Sequence, residues 1–209
     1  MLNLEKRECG IKVRLIPSGA MFLKVEIDIE GEHLEFWPSS AMAGQFGDFI
    51  NSFYALFSEN SDNHKEPYSG KCAHEVDGDV IVTTKTQWDE EGSIIDIIFE
   101  RRFCVDDENW DNSDIIDLTF FIHRQECSEK HFSISTKELC YAIAKECTEI
   151  LKEYGFYGYR LVTEWDYFKI YQLLYIKAFA LDCMEMRSCD NEEGKTNFND
   201  EIELLMFDM

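Results

Sequence analysis

Residues 22–30 alternate without a break, with Leu23, Val25, Ile27 and Ile29 on one side and Lys24, Glu26, Asp28 and Glu30 on the other. Successive side chains of a strand point to opposite faces, so this period marks a strand buried on one face only. Half-buried strands belong to antiparallel sheets, because parallel sheets are covered on both faces and read as continuous apolar runs. The same period returns in Val80, Val82, Thr84, Thr86 and Trp88, in Ile95, Ile97, Phe99 and Phe103, and in Ile116, Leu118, Phe120 and Ile122. Val13 and Leu15 mark an earlier strand, with Pro17, Ser18 and Gly19 making the turn after it. Gly31 and Glu32 turn the chain into a strand over 33–37, and Phe132 with Ile134 completes the set.

Helical spacing appears in three places. After Pro38, Ser39 or Ser40 can cap a helix whose stripe is Met42, Phe46, Phe49, Ile50, Phe53, Leu56 and Phe57. Ser135 followed by Glu138 is a capping box, and Leu139, Ile143, Cys147, Ile150, Leu151 and Tyr154 form the stripe behind it, with Gly155 as the stop. Thr163 stands three residues before Asp166, and the run 165–181 is apolar nearly all round, as in a helix packed on several sides. Strand runs neighbour strand runs, and regular βαβ alternation is missing. The expected architecture is therefore α+β, an antiparallel sheet of about six to eight strands with three main helices packed on one face.

The expected organisation is one α+β domain over 1–181, followed by an acidic tail or docking segment over 182–209. That last segment holds nine acidic and two basic residues, yet Ile202, Leu204, Leu205, Met206 and Phe207 could dock as a short helix or an edge strand. With 16 Phe, 9 Tyr and only three Pro in 209 residues, a packed core is expected rather than disorder.

The chain has 42 acidic against 20 basic residues, a formal net charge of −22. Such a charge disfavours nucleic acid and anionic membrane surfaces as partners and permits a basic protein. The first ten residues include Glu5, Lys6, Arg7 and Glu8 and no apolar leader, which sets a cytoplasmic expectation. Eight cysteines are dispersed without a C-x-x-C pair, consistent with reduced thiols.

Catalytic and cofactor signatures are missing. The five histidines show no H-E-x-x-H or H-x-H grouping, and there is no G-x-S-x-G elbow, Walker loop or G-x-G-x-x-G. Gly155-Phe-Tyr-Gly158 reads as a helix stop and a tight turn. Cys72 and His74, two apart, would share a strand face, but two ligands do not make a metal site. No cofactor and no metal are expected.

What stands out is the stretch 88–117, with eleven acidic residues against Arg101 and Arg102. Asp89, Glu90 and Glu91 sit at a hairpin tip, where they should face solvent, and Asp106, Asp107, Glu108 and Asp111 fall in the following connection. Trp88 and Trp110 flank these carboxylates. Together the nine residues make a candidate surface for a basic partner, since charge speeds encounter and an aromatic anchors the contact. The competing reading leaves both tryptophans in the core and the acids merely hydrated.

In the order of its elements over roughly 80–159, namely an acidic hairpin around Trp88-Asp-Glu-Glu-Gly92, further strands and a capped helix ending in Glu153-Tyr-Gly155, the chain resembles small acidic bacterial immunity proteins of polymorphic toxin systems. The resemblance implies inhibition of a basic toxin by occlusion of its active-site surface. The leading expectation is thus an acidic protein that binds and inhibits a basic protein partner, for example a toxin. Two others stand beside it: a nucleic acid mimic, and an enzyme whose pocket gathers Cys72, His74, His123 or a buried carboxylate from scattered positions.

Overall fold

A computed structural model describes residues 5–6, 8–17, 23–38, 45–57, 70–77, 79–90, 92–104, 115–163, 169–183 and 197–209. The first alternating runs form β1 (Lys12–Pro17), β2 (Leu23–Ile29) and β3 (Glu32–Phe36), an antiparallel sheet in that order. Val13 pairs with Ile27, and Ile27 with Leu34, so one face of the sheet is apolar up to Glu32 at its turn end. The β2–β3 turn is Glu30–Gly31, one residue earlier than the spacing suggested. Both have positive φ, 51° and 81°, as a two-residue hairpin turn whose twist matches its strands requires.

The second sheet is a meander of β4 (Gly70–Val76), β5 (Asp79–Asp89), β6 (Ile94–Cys104), β7 (Ile115–His123) and β8 (Cys127–Ser135). Among the described residues there are eight antiparallel strands, within the expected six to eight, but they divide three and five instead of forming one sheet. The division follows from what the apolar faces cover. Phe36, at the end of β3, packs its ring 5.4 Å from Trp88 and 5.3 Å from Phe120, so the inner face of the small sheet is set against that of the large one. Alternation shows that a strand has one buried face and is silent about what buries it.

Four helices are described, one more than expected: α1 (Gln45–Ala55), α2 (Thr136–Thr163), α3 (Ile170–Ala180) and α4 (Phe198–Met206). The α1 stripe meets the large sheet through Phe49, 5.3 Å from Trp88 and 5.4 Å from Phe99, and through Phe53, 5.5 Å from Phe99. α2 lies against β1, β8 and α3, and Glu146 on α2 accepts the Leu15 N–H at 2.7 Å. α3 joins α1 through tyrosine and phenylalanine edges, with Phe57 4.9 Å from Phe179. No described helix is long and apolar enough to cross a membrane.

Gly155 stops the first part of α2, in the left-handed region at φ 65°. The backbone then resumes as helix to Thr163, so the tight turn expected over 155–158 is a kink instead. The proposed Thr163/Asp166 cap pair reaches into 164–168, outside the described residues, as do Ser39 and Ser40 of the α1 cap.

Among the described residues, two cations are buried. Arg101 is 1% exposed and its guanidinium lies over Phe57, Phe103 and Phe179 at 4.8, 4.7 and 5.5 Å, within the range of cation–π attraction. Lys177 is 0% exposed and donates to Thr148 Oγ1 at 3.0 Å, the Leu205 carbonyl at 3.2 Å and the Phe207 carbonyl at 2.6 Å. An ammonium has three donors, so these acceptors satisfy it. Burial still pulls its pKa down to about 8. The arrangement clips the end of α4 to α2 and α3, with Leu204 buried beneath it and Asp208 paired to Lys6 and Lys152 outside. The segment over 197–209 is thus docked through a helix.

Candidate protein-interaction face

The tip of the β5–β6 hairpin is where sequence reasoning placed the partner surface, and the structure uses much of it internally. Trp88 is 1% exposed, and its indole N–H reaches the Gln45 carbonyl at 3.3 Å. It is a core residue and not an exposed anchor, because it falls on the inner face of β5 beneath α1. Asp89 is half-buried, with its backbone N–H on the Gln45 side chain at 2.9 Å. Glu90 does not face solvent as expected: its side chain is 8% exposed. Both its oxygens take bonds from Arg124, the shortest 2.8 Å, and Oε1 also accepts the Trp37 N–H at 2.6 Å. Arg124 donates in turn to the Glu35 carbonyl at 3.2 Å. This knot joins the end of β3, the β5–β6 tip and the β7–β8 turn, so Glu90 ties the two sheets together.

Glu91, Asp106, Asp107, Glu108, Trp110 and Asp111 lie outside the described residues. Their brackets are nevertheless informative. The tip precedes Ile94, while the stretch 105–114 leaves from Cys104 and returns at Ile115, at the opposite end of β6. At about 3.3 Å per residue, the eleven residues of β6 put the two ends roughly 33 Å apart. The tip and the acidic connection are therefore attached to opposite ends of the sheet.

Between those ends lies the outer face of the large sheet. Paired residues share a face, so Thr83, Lys85 and Gln87 of β5 lie beside Asp96, Ile98 and Glu100 of β6, which lie beside Asp117, Thr119 and Phe121 of β7. Ile98 and Phe121 are half-buried there, and Lys85, Arg102 and His123 are exposed. Arg101 contributes nothing to this face, because its guanidinium is inside. Asp96 receives Gln87 at 2.8 Å, Lys85 at 3.0 Å and His123 at 3.3 Å. Burial pushes this carboxyl up, and the Gln87 and Lys85 bonds outweigh it, leaving it below its ordinary value.

Glu100 and Asp117 are different. They stand directly opposite each other on β6 and β7, a like-charge pairing that costs stability. Glu100 takes a bond from Thr83 at 3.1 Å. Asp117 accepts from Ser133 and lies 3.8 Å from His131. Among the described residues, no Lys or Arg makes an ion pair with either one. Neither acid was singled out from the sequence, although both fall on the non-core parity of their strands. The pairing that opposes them is a matter of register.

A second polar cluster covers the outer face of β2 and β3. Lys24 bridges Glu26 at 2.6 Å and Glu35 at 2.9 Å, and His33 Nδ1 lies 2.6 Å from Asp28. Donating to Glu26 and Glu35 holds the lysine above its ordinary value, while the bonds that Glu35 accepts from Lys24 and Trp37 hold this carboxyl below its own. Glu26, His33 and Glu35 offer three ligand atoms within 4.8 Å of one another. They are the described residues that could hold a metal, with the Lys24 ammonium already between the two carboxylates. Trp37, 39% exposed, stands beside them under the Lys24 ammonium at 5.4 Å.

Of the groups proposed for an assembled enzyme pocket, Cys72 and His74 lie away from His123. Cys72 and His74 lie on edge strand β4, opposite Thr83 and Ile81. His123 pairs with Ile94 at the other end of the sheet. Among the described residues, Cys9, Cys72, Cys127, Cys140, Cys147 and Cys183 carry free thiols. Burial holds the Cys147 thiol far above its ordinary value, so it is inert as a nucleophile.

No protein-family model, curated protein or solved structure matches this chain.

Proposed function

We propose that this chain is an acidic interaction protein that binds and inhibits a basic protein partner, for example a toxin, through the outer face of its five-stranded sheet. The observation that carries this reading is the opposed pair Glu100 and Asp117, held by hydroxyls and a histidine on an open face. An arginine or lysine from a partner would relieve their repulsion, a gain that exists only in the complex. Ile98 and Phe121 supply apolar area next to the pair, the usual accompaniment of charge in an interface. Inhibition would follow from covering a basic active-site surface, as the resemblance to immunity proteins implies.

The test is a pull-down of tagged protein from its source lysate at low and high salt, with mass spectrometry of what is retained. The proposal expects one basic protein held at low salt and lost from the Glu100→Gln/Asp117→Asn variant. Retention that survives this double substitution, or nothing specific at either salt, would refute it. Glu90 is the wrong residue to replace here, because its loss would loosen the sheets as well as remove a charge.

A further inference from the structure

Strand β4 is an open edge. Among the described residues it lies at the margin of the five-stranded sheet and pairs only with β5. Cys72, Ala73, His74 and Glu75 are all exposed. The far side of an edge strand presents N–H and C=O groups on which another strand can build. No proline within Gly70–Val76 prevents such pairing. Cys72 and His74, two apart, lie on one face of the strand, opposite Thr83 and Ile81. Thiolate and imidazole are ligands of structural zinc, which takes four. One chain offers two here, and among the described residues no third ligand atom gathers with this pair.

A second copy completes the set. When β4 pairs antiparallel with β4 of another chain about Ala73, Cys72 stands directly opposite His74 of the second copy, and His74 opposite its Cys72. Directly opposite residues share a face, with Cβ atoms about 5 Å apart, and residues two apart along a strand are separated by about 7 Å. Two cysteines and two histidines then form a compact rectangle on one face, the donor set of a closed tetrahedral zinc site. The other face calls for the same register. It sets Lys71 opposite Glu75 of the second copy, and Glu75 opposite its Lys71, and opposite charges so placed are favourable. We infer that β4 is a homodimerisation strand holding one zinc ion between Cys72 and His74 of each of two copies. Each thiol gives up its proton on ligation, so the two thiolates offset the double charge of the ion. Chains of net charge −22 repel each other, and the metal is what holds the pair together. This site goes beyond the proposed function and does not rest on it.

The test is sedimentation velocity of the full chain in a non-thiol reductant, which excludes a disulfide between copies, with zinc added at one ion per two chains and then removed by EDTA. Zinc should convert monomer to dimer, and EDTA should reverse the change. Cobalt in its place should give the intense visible absorption of a tetrahedral thiolate site. Cys72→Ser and His74→Ala should each lose the zinc-induced dimer and the cobalt spectrum. Their unfolding midpoints should stay close to wild type, because both side chains are exposed. Glu75→Lys should weaken the zinc-dependent dimer about tenfold by opposing two lysines. The exchange Lys71→Glu/Glu75→Lys should restore it, which tests the register apart from the ligands. A chain that binds no zinc, or binds it and stays monomeric, would overturn the inference. So would a dimer that EDTA leaves intact, or zinc-driven assembly that also forms in both ligand variants.

Discussion

Along β6 the side chains of Phe99, Arg101 and Phe103 go to one face and those of Asp96, Ile98 and Glu100 to the other, and the two faces have used their charges in opposite ways. On the inner face the single cation is enclosed by three aromatic rings, and both neighbouring phenylalanines are within the core. On the outer face the carboxylates keep contact with water, and Glu100 confronts Asp117 without a Lys or Arg ion pair among the described residues. The hairpin tip belongs with the inner face in this respect, since Arg124 already holds both oxygens of Glu90. Acidity along a sequence is thus not the same as acidity available to a partner. What distinguishes the two is whether the fold has already supplied the counter-charge.

The comparison is broken most severely if Trp88 is not structural. Trp88→Ala should cost about 3–5 kcal/mol in urea-induced unfolding, the usual penalty for emptying a large core site. A value near zero would restore it as a surface anchor. Glu90→Ala should cost about 1–3 kcal/mol, because Arg124 and the Trp37 N–H would lose their acceptor. Arg124→Ala should match it, and the double variant should cost much less than the sum; strict additivity would show that the two do not act together.

Lys177 sharpens the contrast between buried and exposed charge. Its folded pKa of about 8 lies below the ordinary value of 10.5. Between those values the unfolded chain holds the proton and the folded one does not, so stability should rise with pH across that window. The gain should be on the order of 2 kcal/mol once residual solvent screening is allowed for. Lys177→Met should abolish this rise relative to wild type in urea titrations at pH 8 and 10.5; an unchanged slope would assign it to other groups. The smallest effect belongs to the outer face. Glu100→Gln should leave stability unchanged or raise it by about 0.2–1 kcal/mol, since it removes a like-charge opposition. Destabilisation there would mean that the pair is structural after all.

Much of the architecture was legible. The core faces of β2, β5, β6 and β7 follow from parity alone, and Gly155 interrupts α2 at the expected place because only a left-handed residue stops a helix that way. The site was less legible. Asp96, Glu100 and Asp117 were visible as acids on the solvent parity, but their grouping depends on strand register, and Glu90 meets Arg124 only because the β5–β6 tip comes beside the β7–β8 turn. Tip and connection read as one acidic surface because they are near in sequence, and parity does not say that the strand between them joins the tip at one end of the sheet and the connection at the other.

The sequence by itself determined the antiparallel α+β class, the buried face of each strand and the amphipathic helices, because those depend on local periods of two and 3.6 residues. Only the tertiary structure decided that the strands divide into two facing sheets, that Arg101 and Lys177 are buried cations, and that Glu90 is a tie while Glu100 stands opposite another acid on the outer face. Those outcomes depend on which distant side chains meet. Contacts between residues far apart in the chain are set by packing and register, which no local period encodes.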